Sequence, residues 1–204
     1  LACKTTCRDA AGARSELARS LERLRTDRLD LYQLHGVSDV EKDVVRAFAP
    51  GGAMEVLAEA KKAGTVRFLG FSAHSREAAL AAMARFDFDT ILYPVNFACD
   101  IRAGFSDAVL AEAKKRGMGI LALKAMALQR WPKNADRSRR PRCWYQPVED
   151  PALAAKAVAW TLSRGPAAFV PPGDPGLYRM ALDLAPRIGP LSAKDRGDLA
   201  AAAA

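Results

Sequence analysis

Segments with the hydrophobic pattern of β-strands alternate along this chain with amphipathic helices, and no other feature limits its fold as strongly. One strand followed by one helix occurs six times, with a period of about 30 residues. The predicted strands are 1–5, 29–35, 66–72, 90–96, 118–126 and 167–170. The predicted helices are 8–24, 53–63, 75–84, 106–116, 150–164 and 176–185. This alternation predicts an α/β protein in which helices cover a parallel sheet.

The six units are nearly equal in length and lack a glycine-rich phosphate motif, which favours a barrel over a doubly wound sheet. A closed (β/α)8 barrel has eight units in about 250 residues, whereas this chain has 204 residues. Its first residues, Leu1–Thr5, already have the pattern of the interior of a strand. We therefore expect two units to be missing before Leu1 and residues 1–204 to form a single partial barrel domain.

Two residues that can move protons end consecutive predicted strands. Lys4 and His35 are separated by one predicted helix, so their strands are expected to end at the same edge of a parallel sheet. Barrels of this class keep their catalytic residues at that edge. Lys4 would serve there as an amine nucleophile or as a cation that tunes a neighbouring pKa. The structural alternatives are a surface lysine and a buried histidine.

Composition argues against several classes of protein. No stretch approaches 18 apolar residues, so no membrane span is expected. The four cysteines are not spaced as zinc ligands, and we expect ordinary thiols in a reducing, cytoplasmic compartment without a metal site. The net charge of +8 is concentrated in one loop, at Arg130, Lys133, Arg137, Arg139, Arg140 and Arg142. This loop is either simply solvated or a clamp for a phosphorylated ligand; nucleic acid is disfavoured because no binding motif accompanies the charges.

Several motifs occur in the order found in a known family. They are CKT with Lys4, RLRTDRLDLYQLHG with His35, AKKAGTVRFLGFS with Ser72, YPVN with Asn96, RGMGILALKAMA, and FVPPGDPGLYRMALDLA. In this order the chain resembles the aldo-keto reductases, from the third strand of the family to the eighth. It is similar to a bacterial group with ALKAMA and WYxP elements. The resemblance implies the (β/α)8 TIM-barrel family, here an incomplete barrel of about six βα units.

The resemblance also implies an activity, the NADPH-dependent reduction of a small aldehyde or ketone to an alcohol. The family uses a tyrosine as the acid, a lysine and an aspartate that tune it, and a histidine that orients the carbonyl. Lys4 and His35 match two of these four residues. The strand that carries the aspartate and tyrosine would precede Leu1. General acid catalysis is typically worth roughly 10²–10⁴-fold, so we expect the chain as it stands to reduce carbonyls poorly.

Cofactor-binding residues are assigned by the same resemblance. Ser72 and Asn96 match positions at the carboxamide of the nicotinamide, and Lys124 lies where an aromatic residue often stacks. The loop containing Gly173 leads to a helix N-terminus, which favours anions. Arg179 matches an arginine that binds the 2′-phosphate, and Asp183 a residue that contacts adenine. NADPH is therefore the expected cofactor, with NADH as the alternative.

Two other functions fit parts of the pattern. A Schiff-base lyase or aldolase on a similar barrel would use Lys4 or Lys124 as its amine. A non-catalytic regulatory barrel would bind NADPH without turnover.

Overall fold

The computed structural model describes residues 1–204, and their packing forms two compact units. Unit 1 comprises Leu1–Tyr93 and Val109–Ile120. Unit 2 comprises Pro94–Ala108 and Leu121–Ala204. The assignment of residues 1–204 to a single domain stays a prediction.

Unit 1 repeats the strand–helix alternation that the sequence predicts. Its strands are β1 (Ala2–Thr5), β2 (Leu29–Val37), β3 (Val66–Ala73) and β4 (Thr90–Pro94, whose last residue belongs to unit 2). Its helices are α1 (Ala10–Leu24), α2 (Arg46–Phe48), α3 (Ala53–Lys62) and α4 (Arg76–Met83), with a π-helical turn at Val40–Val45. The turn and α2 are additional to the predicted elements. The other helices begin and end within about two residues of their expected bounds.

The register of the parallel strands decides which side chains share a face. Lys4 pairs with Gln33, Gln33 with Gly70, and Gly70 with Thr90, so these four residues are level across β1 to β4. Side chains alternate along a strand. His35 and Ser72 each lie two residues further along, on the same face and closer to the carboxyl ends of β2 and β3. We call this side, defined by Lys4, Gln33, His35 and Ser72, the polar face.

The opposite face of these strands forms the hydrophobic core of unit 1. Its fully buried side chains are Tyr32, Leu34, Leu69, Phe71 and Ile91. Helices α1, α3 and α4 contact the strands. Burial of this apolar surface is the main favourable contribution to the stability of the unit.

Hydrogen bonds from side chains fix the starts of several helices. Asp9 accepts the Gly12 N–H at the start of α1, and the predicted N-cap Ser75 accepts the Ala78 N–H at the start of α4. Strand β4 ends at Pro94, two residues earlier than expected, because proline has no N–H to donate to a neighbouring strand. Asn96, at the end of the predicted strand, instead caps a helix that follows.

Unit 2 contains that additional helix and the last part of the alternation. Its helices are α5 (Phe97–Ala103), α7 (Pro151–Ser163), α8 (Pro175–Leu184) and α9 (Ala193–Ala203). Helix α6 (Asp107–Lys115) and strand β5 (Gly119–Leu123) each have residues in both units. Strand β8 (Ala168–Val170) pairs in parallel with Leu121–Leu123. The short strands β6 (Ala127–Gln129) and β7 (Gln146–Pro147) pair antiparallel. They lie at the two ends of residues 130–145, the positively charged loop, which we call the basic loop.

Helix α9 was not predicted, because five of its 11 residues are alanines and it has almost no amphipathic pattern. A capping box of Ser192 and Asp195 begins it. Leu199 and Ala203 are buried in the core of unit 2. Lys156 of α7 forms ion pairs with Asp195 and Asp198. Tertiary packing, rather than periodicity, therefore defines this helix.

Six βα units are present, as the sequence predicts. No helix in the structure is both long enough and apolar enough to cross a membrane.

Candidate active site

The carboxyl ends of β1, β2 and β3 bring three of the predicted site residues onto the polar face of unit 1. Lys4 is exposed at the end of β1. His35 is half-buried, and its Nδ1 lies 2.7 Å from Oγ of Ser72. Ser72 is fully buried and also accepts the Gly36 N–H at 2.8 Å. Gly36 has a φ of 73°, which glycine adopts at little cost. The histidine is thus held by the neighbouring strand.

A largely buried arginine side chain holds the backbone of His35. Arg8 Nη2 donates to the His35 carbonyl oxygen at 2.8 Å, and Arg8 Nε donates to Asp43 Oδ1 at 3.0 Å. Asp43 in turn accepts the N–H groups of Ser38 and Asp39. Sequence reasoning missed this network, because Arg8 and Asp43 are 35 residues apart and no local pattern links them.

The charges around His35 favour its neutral form. Burial lowers the pKa of His35, and the positive charges of Lys4 and Arg8 lower it further. Although the residue as a whole is exposed, partial burial of its ammonium group also lowers the pKa of Lys4. A neutral imidazole has one N–H donor and one acceptor nitrogen, so at neutral pH His35 is suited to donate a hydrogen bond to an oxygen without carrying a charge.

Asp43 has the opposite electrostatic balance. Burial raises the pKa of Asp43, but hydrogen bonds from the Ser38 and Asp39 backbone and the charge of Arg8 outweigh it. The pKa of Asp43 therefore lies below its usual value, and the carboxylate stays charged at neutral pH. This charge keeps Arg8 in place beneath His35.

In unit 2, the side chain of Asn96 contacts the backbone of Lys124, not its ammonium group. Asn96 Nδ2 donates to the carbonyl oxygens of Lys124 at 2.9 Å and Ala127 at 2.6 Å, while its Oδ1 accepts the Cys99 N–H. Both amide hydrogens of Asn96 are therefore used within the chain. Lys124 has a φ of 64°, an unusual conformation for a lysine, and burial lowers its pKa. The bonds from Asn96 hold the chain in this turn.

A groove at the start of α8 contains two of the other predicted residues. It has a volume of about 460 Å³ and is lined by Pro172, Gly173, Pro175, Tyr178, Arg179 and Leu182. The Arg179 side chain is exposed and forms no ion pair within the chain. Asp183 is exposed on the same helix but does not line the groove. Tyr178, which sequence reasoning missed, adds an exposed aromatic ring.

One acidic residue beside this groove is neutralised by the basic loop. Asp174 is buried, caps α8 by accepting the Leu177 N–H, and forms an ion pair with Arg140 at 2.9 Å. Arg140 also pairs with Glu149. The start of α8 can therefore attract an anion, since the charge of Asp174 is already balanced.

The rest of the basic loop is fixed by one tryptophan. Trp131 Nε1 donates to the Cys143 carbonyl oxygen, and the Arg137 guanidinium lies 5.6 Å from the centre of its ring. Trp144 is 86% exposed.

No group of three or more His, Cys, Asp or Glu side chains in the structure is arranged to hold a metal ion.

A family model and several solved structures are similar to this chain. The model of the aldo/keto reductase family matches residues 4–163. An aldo-keto reductase from Bacillus halodurans in its holo form is 19% identical, with a TM-score of 0.69 over 100% of this chain and 72% of that chain. A glycerol dehydrogenase from Gluconobacter oxydans is 23% identical, with a TM-score of 0.61 over 95% of this chain and 64% of that chain. An aldose reductase from Giardia lamblia is 12% identical, with a TM-score of 0.67 over 98% of this chain and 70% of that chain. Curated protein sequences gave no match.

These likenesses confirm the fold class, with six parallel βα units of the (β/α)8 TIM-barrel type. The chain spans between 64% and 72% of the length of these three structures. The family model spans most of the chain and includes Lys4, His35, Ser72, Asn96 and Lys124. Its members are carbonyl oxidoreductases that generally use nicotinamide cofactors. On this evidence, the chain belongs to the aldo/keto reductase family.

Proposed function

We propose that this protein reduces a small aldehyde or ketone to an alcohol with NADPH. The observation that supports this most is the polar face of unit 1, where a lysine and a histidine lie near the carboxyl ends of neighbouring parallel strands. Ser72 contacts the ring of this histidine, and Arg8 binds its backbone carbonyl oxygen. Such pre-organisation is what a group needs when it must meet a reacting oxygen in one defined position.

Each residue of the polar face has a separate task in this proposal. When bound, the reduced nicotinamide supplies a hydride to the carbonyl carbon. His35 donates a hydrogen bond to the carbonyl oxygen and thereby orients it. The ammonium of Lys4 stabilises the negative charge that develops on that oxygen. Because the pKa of His35 is lowered, the imidazole remains an uncharged donor at neutral pH.

The residues of unit 2 fit the phosphate and adenosine parts of the cofactor. Arg179 is an exposed, unpaired cation beside Gly173 and the start of α8, and Tyr178 offers a ring to a base. Lys124 and Asp183 remain proposed contacts. Ser72 and Asn96 already have hydrogen-bond partners within the chain, so we assign them supporting tasks near the carboxamide rather than the main contacts.

We also propose that the 204-residue chain by itself reduces carbonyls slowly, because neither tyrosine of unit 1, Tyr32 or Tyr93, lies on the polar face with Lys4. Tyr32 lies in register with Cys3 and points to the opposite face. Burial, as the largest cause, raises the pKa of Tyr32 to about 12, which makes it a poor acid. The alkoxide then has to take its proton from water, so it forms at a high energetic cost.

The cofactor proposal predicts a selective effect of Arg179→Met. The guanidinium should bind the 2′-phosphate of NADPH with charge-assisted hydrogen bonds, and NADH lacks this group. The substitution should weaken NADPH binding about 10- to 100-fold and leave NADH binding nearly unchanged. Binding can be followed by tryptophan fluorescence, because Trp131, Trp144 and Trp160 all belong to unit 2.

Arg187→Met is the matched control, since Arg187 is exposed but lies outside the groove. Equal losses of NADPH and NADH affinity in Arg179→Met would contradict the assignment of the 2′-phosphate.

Turnover tests the reaction class. The loss of NADPH absorbance is measured with small aldehydes and ketones, including glyceraldehyde because one similar structure is a glycerol dehydrogenase. A slow, substrate-dependent rate that falls in His35→Ala would support the proposal. A borohydride-trapped adduct on Lys4 or Lys124 would support the Schiff-base lyase instead. Tight NADPH binding without turnover of any carbonyl would support the regulatory barrel.

A further inference from the structure

The Ser72 hydroxyl makes two hydrogen-bond contacts, both with groups of β2. Its Oγ accepts the Gly36 N–H at 2.8 Å and lies 2.7 Å from His35 Nδ1. The side chain is fully buried, so water does not compete for it. A hydroxyl has one hydrogen and two lone pairs.

The position of that single hydrogen decides the protonation of His35. If Nδ1 carried a hydrogen, it would donate to Oγ, and the hydroxyl hydrogen would need another acceptor inside the protein. Nδ1 of His35 is the acceptor that the structure offers to this hydroxyl. Every buried hydrogen therefore has a partner when the Ser72 hydroxyl donates to Nδ1 of His35.

We propose that Ser72 is a positioning residue that holds neutral His35 with its hydrogen on Nε2. The ring nitrogen that remains for a ligand is then a donor, suited to a carbonyl oxygen. Arg8 contributes by fixing the backbone of the same histidine through its carbonyl oxygen. Lys4 and Arg8 are the charged groups that lower the pKa of this ring, and both disfavour a second proton on it. The assignment rests on the proposed function only for the identity of the ligand.

Nitrogen-15 NMR of the labelled 204-residue chain tests this assignment without cofactor or substrate. The chain has two histidines, and His74→Asn identifies the signals of His35 by difference. At neutral pH we expect Nδ1 of His35 to resonate as an unprotonated nitrogen and Nε2 as a protonated one. Ser72→Ala should shift both signals toward a mixture of tautomers, and Ser72→Thr, which keeps the hydroxyl, should restore them.

Ser75→Ala is the control, because Ser75 caps α4 in the same segment and its hydroxyl bonds to Glu77 and Ala78 instead of His35. A wild-type spectrum with a protonated Nδ1 would overturn the proposal, and so would unchanged His35 signals in a folded Ser72→Ala variant. The wild-type spectrum decides even if Ser72→Ala does not fold. Failure of carbonyl reduction leaves this NMR result intact, so the two proposals fail separately.

Discussion

Residue 70 shows how closely single positions of β3 are constrained by their neighbours. A Cβ added to Gly70 would collide with Thr90 Oγ1 and lie 2.9 Å from the Thr90 carbonyl oxygen. It would also lie 3.2 Å from Gln33 Nε2. Because the obstacle includes backbone of the adjacent strand, the clash cannot be relieved by a change of rotamer alone. The sequence gives no sign of this, since Gly70 reads as one glycine within a hydrophobic strand.

Gly70→Ala should therefore lower the free energy of unfolding by about 1–3 kcal/mol. Urea denaturation followed by circular dichroism measures the change. Gly119→Ala is the matched control, because its added Cβ would have its nearest neighbour at 3.4 Å, an ordinary contact. Equal stability of the two variants would show that β3 and β4 can separate at this point without cost.

The pKa of His35 provides a second test at this scale. Burial, Lys4 and Arg8 all lower it in the folded protein from its ordinary value of 6.5. The folded state then binds protons less readily than the unfolded state. His35 thus contributes stability above about pH 6.5, and this contribution is lost as the pH falls below that value through the lowered pKa.

Lys4→Met removes one of the positive charges and should raise the pKa of His35. It should also reduce the loss of stability on acidification between neutral pH and the folded pKa. An NMR titration of the His35 ring measures the first effect, and urea denaturation at several pH values measures the second. Lys62→Met, at an exposed position of α3, is the control. An unchanged His35 midpoint in Lys4→Met would mean that the two side chains do not interact.

At the scale of elements, side chains connect loops that are distant in sequence. Arg8 precedes α1 and Asp43 lies in the π-helical turn after β2, and their ion pair also holds the end of β2 through the His35 carbonyl. In unit 2, the Asn96 side chain also links distant segments. It caps α5 and donates to two carbonyl groups that follow β5. In both places the backbone of a candidate site residue, His35 or Lys124, is held by a polar side chain that is distant in sequence.

Arg8→Met should be much more damaging than removal of a surface pair. The Arg8 and Asp43 side chains are only 11% and 17% exposed, so the substitution leaves a buried carboxylate without its partner. We expect a loss of about 2–4 kcal/mol in the free energy of unfolding.

Arg14→Met tests the contrast, because Arg14 and Glu59 are 63% and 61% exposed. This change should cost less than about 1 kcal/mol. Similar losses in the two variants would show that the Arg8 network adds nothing beyond a surface ion pair.

At the scale of the whole molecule, unit 2 contains a cluster of buried apolar residues and every tryptophan of the chain. All three tryptophans belong to unit 2, so their fluorescence reports on that unit alone. Leu199 of α9 is fully buried in the unit 2 core. Leu199→Ala should lower the free energy of the fluorescence-monitored transition by about 2–4 kcal/mol, because it leaves a cavity.

Leu182→Ala is the control for this variant, since Leu182 is 49% exposed, and we expect a change within about 1 kcal/mol. If both leucine variants unfold at the same urea concentration as the wild type, α9 is not part of the core of unit 2.

The elements that the sequence predicts are those whose stabilising contacts are local in sequence. Helices α1, α3, α4, α7 and α8 were predictable because their apolar faces and caps depend on residues within a few positions of one another. The pairing of β6 with β7, the π-helical turn and α9 were not. Alanine-rich α9 has no pattern of its own, and β6 and β7 are short strands separated by the whole basic loop. Their stability comes from contacts that are distant in sequence.

The sequence by itself determined the six βα units and the positions of Lys4 and His35 at neighbouring strand ends. Hydrophobic periodicity and chain order suffice for this, because both are local. Only the tertiary structure decided what holds His35, since Ser72 is 37 residues away and Arg8 is 27 residues away. Those contacts depend on the register of β2 against β3 and on the path of the loops. Register is a property of paired strands, and a single strand does not carry it.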